Sequence, residues 1–148
     1  MPGELFMRDL RLTLLSMGSL CLLVGCSTQK PREQGLTLTE AAEVAFGFLM
    51  DQPTPRNARV FYLETYGEDA PTEVLAIFGN SPVRPASEFK EGQGVKLHLD
   101  RVGWEDVDTY TVRCGFFRDG LCFSTFELKI RMIDGRWSVR DYRVLSHG

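Results

Sequence analysis

The sequence predicts an α+β domain, in which helices come first along the chain and an antiparallel sheet follows. Residues 37–52 repeat apolar side chains with the 3.6-residue period of a helix. From Val95 onward the period changes to two, which is typical of strands with one buried face. We therefore expect a long N-terminal helix and shorter helices packed on a curved, antiparallel, four-stranded sheet.

The start of the chain reads as a leader rather than as part of this domain. Arg8 and Arg11 supply a basic beginning, and residues 12–24 form an apolar stretch of 13 residues. That stretch is too short to cross a bilayer, which needs about 20 apolar residues. Because two acidic residues cancel the two arginines, we expect translation to start at Met7 instead of Met1.

The leader ends in Leu23-Val24-Gly25-Cys26. This ending resembles a lipobox, the recognition site of the enzymes that process bacterial lipoproteins. The resemblance implies that Cys26 becomes the first mature residue and carries acyl chains such as palmitate, which hold a small domain on a membrane. Ser27 follows instead of an aspartate, which for such lipoproteins implies the periplasmic side of the outer membrane if the organism has two membranes. The alternatives are an ordinary signal peptide with an incidental cysteine, and a buried helix.

Three parts of the chain follow from this interpretation. They are a lipoprotein signal peptide at 1–25, a lipidated cysteine with a flexible polar tether at 26–35, and a single α+β domain at 36–148. The net charge of −3 gives no basic footprint for nucleic acid.

The long helix has a defined beginning and end. Thr37 and Glu40 have the spacing of a capping box, and Pro53 stops the helix. Its apolar stripe consists of Leu38, Ala41, Val44, Ala45, Phe48 and Leu49.

Two shorter helices are expected next. The first covers about residues 54–67, because Pro55 is favourable at the first helical position. The second covers 71–78, which is rich in apolar residues and closes at Gly79-Asn80. Residues 81–87, with two prolines, read as a linker or an irregular edge.

Four strands make up the rest of the domain. Arg118-Asp119-Gly120 and Asp134-Gly135 are the turn signals between them. The apolar phase of the strands comprises Val95, Leu97 and Leu99, then Tyr110, Val112, Cys114 and Phe116, then Phe126, Leu128, Ile130 and Met132, and finally Trp137, Val139, Tyr142 and Val144.

Three short segments carry a resemblance to a known superfamily: Thr39-Glu40-Ala41-Ala42, Glu127-Leu128-Lys129-Ile130 and Asp134-Gly135-Arg136-Trp137-Ser138-Val139. With the order of elements, they resemble the nuclear-transport-factor-two-like, or cystatin-like, superfamily over residues 36–145. Small bacterial lipoproteins of unassigned function are the nearest look-alikes. The resemblance implies a cone, with a bent sheet around the long helix and a cavity at its wide end. Proteins on this scaffold bind small molecules, catalyse reactions or act as dimerising modules, so the scaffold does not determine the activity.

The sequence contains no recognisable catalytic, cofactor or metal motif. His98 and Asp100 could act as a base and its orienter. Both, however, lie in the polar phase of their strand, which favours solvated surface residues. We therefore expect no cofactor and no metal.

Cys114 and Cys122 remain in the mature domain, in a compartment where disulfides persist. If Phe117-Arg118-Asp119 is the hairpin loop, the two cysteines lie directly opposite each other and can bond. If Arg118-Asp119-Gly120 is the loop, they lie on a diagonal, which is less favourable. A structural disulfide and two buried thiols are equally supported at this point.

A candidate partner surface comprises Arg113, Phe117, Phe123 and Arg131. Strand alternation places the two aromatic residues on the polar face with the arginines. Aromatic residues exposed among arginines are typical of protein contacts. The alternative is a hydrophobic hairpin tip that packs on a neighbouring loop.

Three functions are compared on these observations. The expected one is a membrane-anchored, non-catalytic lipoprotein of the cell envelope that binds or scaffolds a protein partner or forms a homodimer. The second is a small-ligand carrier or sensor that uses the cone cavity. The third is an enzyme of the isomerase or cyclase type, which needs an acid or base with a shifted pKa in an apolar pocket, and no inward strand carboxylate qualifies. The residues expected to approach such a cavity are Tyr62, Glu64, Tyr66 and Tyr110.

Overall fold

The computed structural model of the chain describes residues 35–148, so the leader, Cys26 and most of the tether lie outside the described residues. The helices are α1 (Leu38–Met50), α2 (Pro53–Arg56) and α3 (Thr72–Ile77), and a single 3-10 turn covers Ala86–Glu88. The strands are β1 (Phe61–Thr65), β2 (Glu68–Asp69), β3 (Val83–Pro85), β4 (Val95–Asp106), β5 (Thr109–Asp119), β6 (Cys122–Ile133) and β7 (Arg136–His147).

Helix α1 confirms the capping box. The Thr37 hydroxyl accepts a hydrogen bond from the Glu40 backbone N–H at 3.2 Å, and the Glu40 carboxylate accepts one from the Thr37 N–H at 3.0 Å. This exchange satisfies two N–H groups that the first turn leaves without partners. Within residues 35–148, no helix has the length and apolar character needed to cross a membrane.

The sheet has seven strands rather than the four expected, although the α+β class stands. Strands β4 to β7 form the predicted antiparallel meander. Strand β1 adds to β4 in parallel, and β2 and β3 pair with the far side of β1. The strand order is therefore β2-β1-β4-β5-β6-β7, and β7 forms one edge.

The helix predicted for residues 54–67 is wrong. Its first turn exists as α2, but the chain then becomes extended and Phe61–Thr65 forms β1. Four of these five residues are buried, because β1 is covered on both faces. A short apolar run of this kind has no period of two that would separate it from a buried helix.

The remaining local predictions have clear outcomes. Helix α3 confirms the short helix predicted at 71–78. The segment 81–87 is an edge, since β3 within it pairs in parallel with β1. The Asp134-Gly135 turn has both residues at positive φ, 50° and 78°, as the tight hairpin turn requires.

The core lies between α1 and one face of the sheet, which we call the core face. Its largest side chains with less than 2% exposure are Phe46, Leu49, Leu63, Leu97, Leu99, Leu128 and Ile130. The opposite side of the sheet is called the outer face below.

The hairpin between β5 and β6 excludes the Cys114–Cys122 disulfide. Its turn is Gly120-Leu121, shorter than either loop considered from the sequence, and a bulge follows Phe117. This register sets Cys114 opposite Phe126 and Cys122 opposite Asp119, so both thiols are free. The Cys122 sulfur instead lies 3.8 Å from the Thr54 hydroxyl.

The two thiols should differ in reactivity. Burial, and then the nearby Asp100 carboxylate, raise the pKa of the Cys114 thiol far above its usual value, whereas Cys122 is partly exposed. We expect a maleimide to modify Cys122 in the folded protein and Cys114 only after unfolding, as read by intact mass. The Cys122→Ser variant should show no labelling of the domain before unfolding. A mature domain that is two hydrogens lighter than its reduced form would contradict the free thiols.

Candidate functional site

The outer face of the four long strands carries most of the charge in the sheet. Its side chains form two rows across β4, β5, β6 and β7, and the rows run perpendicular to the strands. One row is Arg101, Arg113, Glu127 and Arg143, and the other is Gly103, Thr111, Lys129 and Asp141. We call these eight residues the charged face.

Two shallow concavities lie on the charged face and share Thr111 and Glu127. The one on the β4 side has a volume of about 340 Å³ and the one on the β7 side about 250 Å³. Gly103 has no side chain and Thr111 has a small one, so the middle of the face is low. Trp104 is 69% exposed and also lines the first concavity, but its pairing with Tyr110 places its side chain on the core-face side of the sheet, away from the two arginines.

Three of the six charges on this face are in ion pairs. Arg143 Nη2 lies 2.6 Å from Glu127 Oε1, and Lys129 Nζ lies 3.2 Å from Glu105 Oε1. These pairs are partly or largely exposed, so each contributes little to stability. They do keep the side chains in a defined arrangement on the sheet.

Arg101 and Arg113 are different. They are exposed, they are directly opposite each other on β4 and β5, and within residues 35–148 neither forms an ion pair. Glu127 faces Arg113 across the strands, but its carboxylate contacts Arg143. Two like charges directly opposite each other are unfavourable in a sheet. The site therefore has two guanidinium groups available for an acidic group that arrives from outside.

The aromatic part of the predicted partner surface is covered by the chain itself. The Phe89 ring packs edge-on against Phe117 at 6.0 Å and against Tyr62 at 5.4 Å. Phe123 lies opposite Phe117, and its carbonyl accepts a hydrogen bond from the Gly148 N–H at 3.0 Å. For Phe117, the alternative of an aromatic tip packed on a neighbouring segment is the one the structure favours.

Arg131 is also separated from the other predicted surface residues. It lies eight positions from Phe123 along β6, roughly 26 Å. Its guanidinium is 3.4 Å from the Asp108 carboxylate, at the opposite end of the sheet. Of the four predicted residues, only Arg113 lies in the charged face.

The four residues expected around a cone cavity do not converge. Tyr62 and Glu64 point to the outer face, where Glu64 pairs with Lys96 at 3.2 Å. Tyr66 is 51% exposed in the turn after β1. Tyr110 lies at the other end of the sheet, and its ring packs against Trp137.

His98 is more covered than alternation alone predicts. It lies on the outer face, with its side chain 18% exposed and Nδ1 2.9 Å from the Asp100 carboxylate. Gly115, directly opposite, leaves the room for the ring, since a Cβ there would lie 2.7 Å from Nε2. The carboxylate orients the imidazole, but no other described ionisable side chain is hydrogen-bonded to it.

Comparisons with known proteins add no information about the function of this site. No protein-family model matches the chain, and no curated protein matches it. Among solved structures, the chain is similar to a de novo designed protein with a curved β-sheet, at 18% identity over 70% of this chain and 93% of the designed one. The TM-score of 0.33 is too low to support any argument about fold or function.

Proposed function

We propose that the chain is a membrane-anchored, non-catalytic lipoprotein of the cell envelope that binds an acidic segment of a protein partner on the charged face. The observation that carries this proposal is the exposed, unpaired couple Arg101 and Arg113 beside two open concavities. Guanidinium groups bind carboxylates with two parallel hydrogen bonds, and arginine is enriched at protein interfaces.

The shape of the face favours a polypeptide over a small molecule. The concavities are wide, adjoining and open to solvent across four strands, whereas small ligands bind in enclosed, mostly apolar pockets.

The carrier and enzyme alternatives receive no support from the described residues. The space under the sheet is filled by fully buried side chains such as Phe46 and Leu49. In residues 35–148 the buried polar side chains are Thr65 and Thr109, neither of which is an acid or a base. Tyr62, Glu64, Tyr66 and Tyr110 do not line a common cavity: Tyr62 is buried against Phe89, Glu64 pairs with Lys96, Tyr66 is exposed in a turn and Tyr110 packs on Trp137.

The anchor in this proposal is acylated Cys26, joined to the domain by the polar tether 26–35. A tether of that length lets the domain reorient beside the membrane. The location proposed is the periplasmic side of the outer membrane in an organism with two membranes. The same proposal includes membership of the nuclear-transport-factor-two-like, or cystatin-like, superfamily, as in the small lipoproteins that the sequence resembles.

Lipidation can be tested with cysteine variants of the full chain. We expect an alkyne analogue of palmitate, fed to cells, to label the wild-type protein and to give no label with Cys26→Ser, since the thiol is the attachment point. Cys21→Ser is the matched control, because that cysteine leaves with the leader, and its labelling should equal the wild type. Equal labelling of Cys26→Ser would contradict the anchor.

Partner binding can be tested by photo-crosslinking from the middle of the charged face. With a photoreactive residue in place of Thr111, we expect the full-length protein in cells to form an adduct with a different protein. Arg113→Glu should reduce its yield at least about tenfold, because it removes a guanidinium and places a second carboxylate beside Glu127.

Arg56→Glu is the matched control, since it reverses an exposed arginine on α2, away from the charged face. Its adduct yield should equal the wild type. The proposal fails if no adduct forms, if the adduct contains only this chain, or if Arg113→Glu leaves the yield unchanged.

A further inference from the structure

We propose that β7 pairs with β7 of a second copy, antiparallel, about a two-fold axis at Tyr142. Strand β7 has 12 residues and pairs with β6 on one side. Within residues 35–148 no strand pairs with its other side, and every residue from 140 to 148 is exposed. This interface uses the edge of the sheet and is independent of the charged face as a binding site for a different protein.

The backbone at Tyr142 is oriented for such pairing. Its N–H donates to the Asp141 carboxylate at 2.8 Å, so this N–H points away from β6. In an antiparallel strand, a residue with an outward N–H also has an outward carbonyl. Two copies centred at Tyr142 therefore exchange two N–H···O=C hydrogen bonds at this residue.

The charges beside Tyr142 are complementary to themselves. Antiparallel pairing centred there sets Asp141 opposite Arg143 of the second copy, and the two-fold axis repeats the contact. These are non-hydrogen-bonded positions, where facing side chains are closest. The Asp141 carboxylate then moves from its own strand's N–H to the facing guanidinium.

The neighbouring strand continues this pattern. Glu127 is bound to Arg143 at 2.6 Å, and Lys129 lies opposite Asp141. Across the seam the order of charges becomes Glu127, Arg143, then Asp141 and Lys129 of the second copy. The signs therefore alternate over these four positions.

The core face gains an apolar contact at the same place. Tyr142 is 53% and Val144 48% exposed, although the Tyr142 ring packs on Phe48 at 5.0 Å and on Phe126 at 6.2 Å. Pairing brings the two Tyr142 rings side by side and covers the open end of this aromatic group. Aromatic cross-strand pairs are among the favourable ones in sheets.

The register is restricted by bulges. Ladder irregularities at Arg140 and Leu145 leave a regular stretch from Asp141 to Val144. Facing side chains must lie on the same face of the sheet, so the axis can move only by whole residues. Moving it to Asp141 sets Asp141 opposite Asp141 of the second copy, and moving it to Arg143 sets Arg143 opposite Arg143 of the second copy; both contacts are repulsive. Of these three arrangements, only the one centred at Tyr142 sets unlike charges opposite each other.

A charge-complementation experiment tests the pairing in the full-length chain, held in detergent micelles. We expect the wild type to be a dimer by native mass spectrometry. D141R and R143D should each weaken self-association at least about tenfold, because each sets like charges opposite each other twice. An equal mixture of the two variants, with different affinity tags, should copurify as a one-to-one dimer, since each acid then meets an arginine.

If the mixture forms a dimer, both variants are folded. Misfolding then cannot explain why each variant fails to self-associate. The proposal is overturned by a monomeric wild type, by variants that self-associate like the wild type, by a mixture that does not dimerise, or by capture of a different protein at this edge. If β7 does not pair with a second copy, the adduct expected at Thr111 is unaffected. If that adduct does not form, the prediction of β7 pairing is unaffected.

Thiol cross-linking tests the position of the axis. In a Cys122→Ser background, Tyr142→Cys should give a disulfide-linked dimer under mild oxidation, because facing Cα atoms at the axis are about 5.5 Å apart. Val144→Cys is the matched control and should not cross-link, since its two copies are separated by about 13 Å along the strands. Cross-linking through position 144 but not 142 would exclude this register.

Discussion

The contact between α1 and the core face is the interaction on which the rest of the structure depends. Three alanines at 0% exposure, Ala41, Ala42 and Ala45, let the helix backbone approach the sheet closely, and Phe46 and Leu49 fill the space beside them. Burial of such large side chains contributes about 2–3 kcal/mol each. Because this contact occupies the interior, any binding has to take place at the surface of the domain.

The sequence predicts what is local and misses what depends on distant pairing. The capping box at Thr37 and the alternation from Val95 onward are short-range signals, and both elements form as expected. Strand β1 has no such signal, because its partners β3 and β4 are more than 20 residues away and the side chain that covers Tyr62, Phe89, is also distant in the sequence. The hairpin at Gly120 shows the same limit, since a shift of one residue in the turn changes which side chains face Cys114.

The candidate site was likewise predictable from the sequence only where local strand alternation determines it. Alternation correctly predicted that Arg113 lies on the polar face, and the row containing Arg101 follows once the register is known. The cover of Phe89 over Phe117 could not be predicted, because it depends on where the segment before β4 crosses the outer face. The cavity residues came from a resemblance rather than from strand phase. In β1, cross-strand pairing with Lys96 and His98 places Tyr62 and Glu64 on the outer face, where Phe89 covers Tyr62.

The two edges of the sheet differ in a way that would limit the proposed edge-to-edge pairing to two copies. Strand β7 is long and carries its own complementary charges, whereas the other edge consists of β2, with two residues, and β3, which ends in Pro85. A proline has no N–H to donate, and short strands offer few sites for pairing. Pairing between two β7 strands therefore consumes the open edge of both copies and leaves only the blocked edges exposed. Such a contact closes on itself, unlike a head-to-tail contact that would continue into a fibre. A lipid anchor would favour this dimer further, because it confines both copies to one surface and raises their effective concentration.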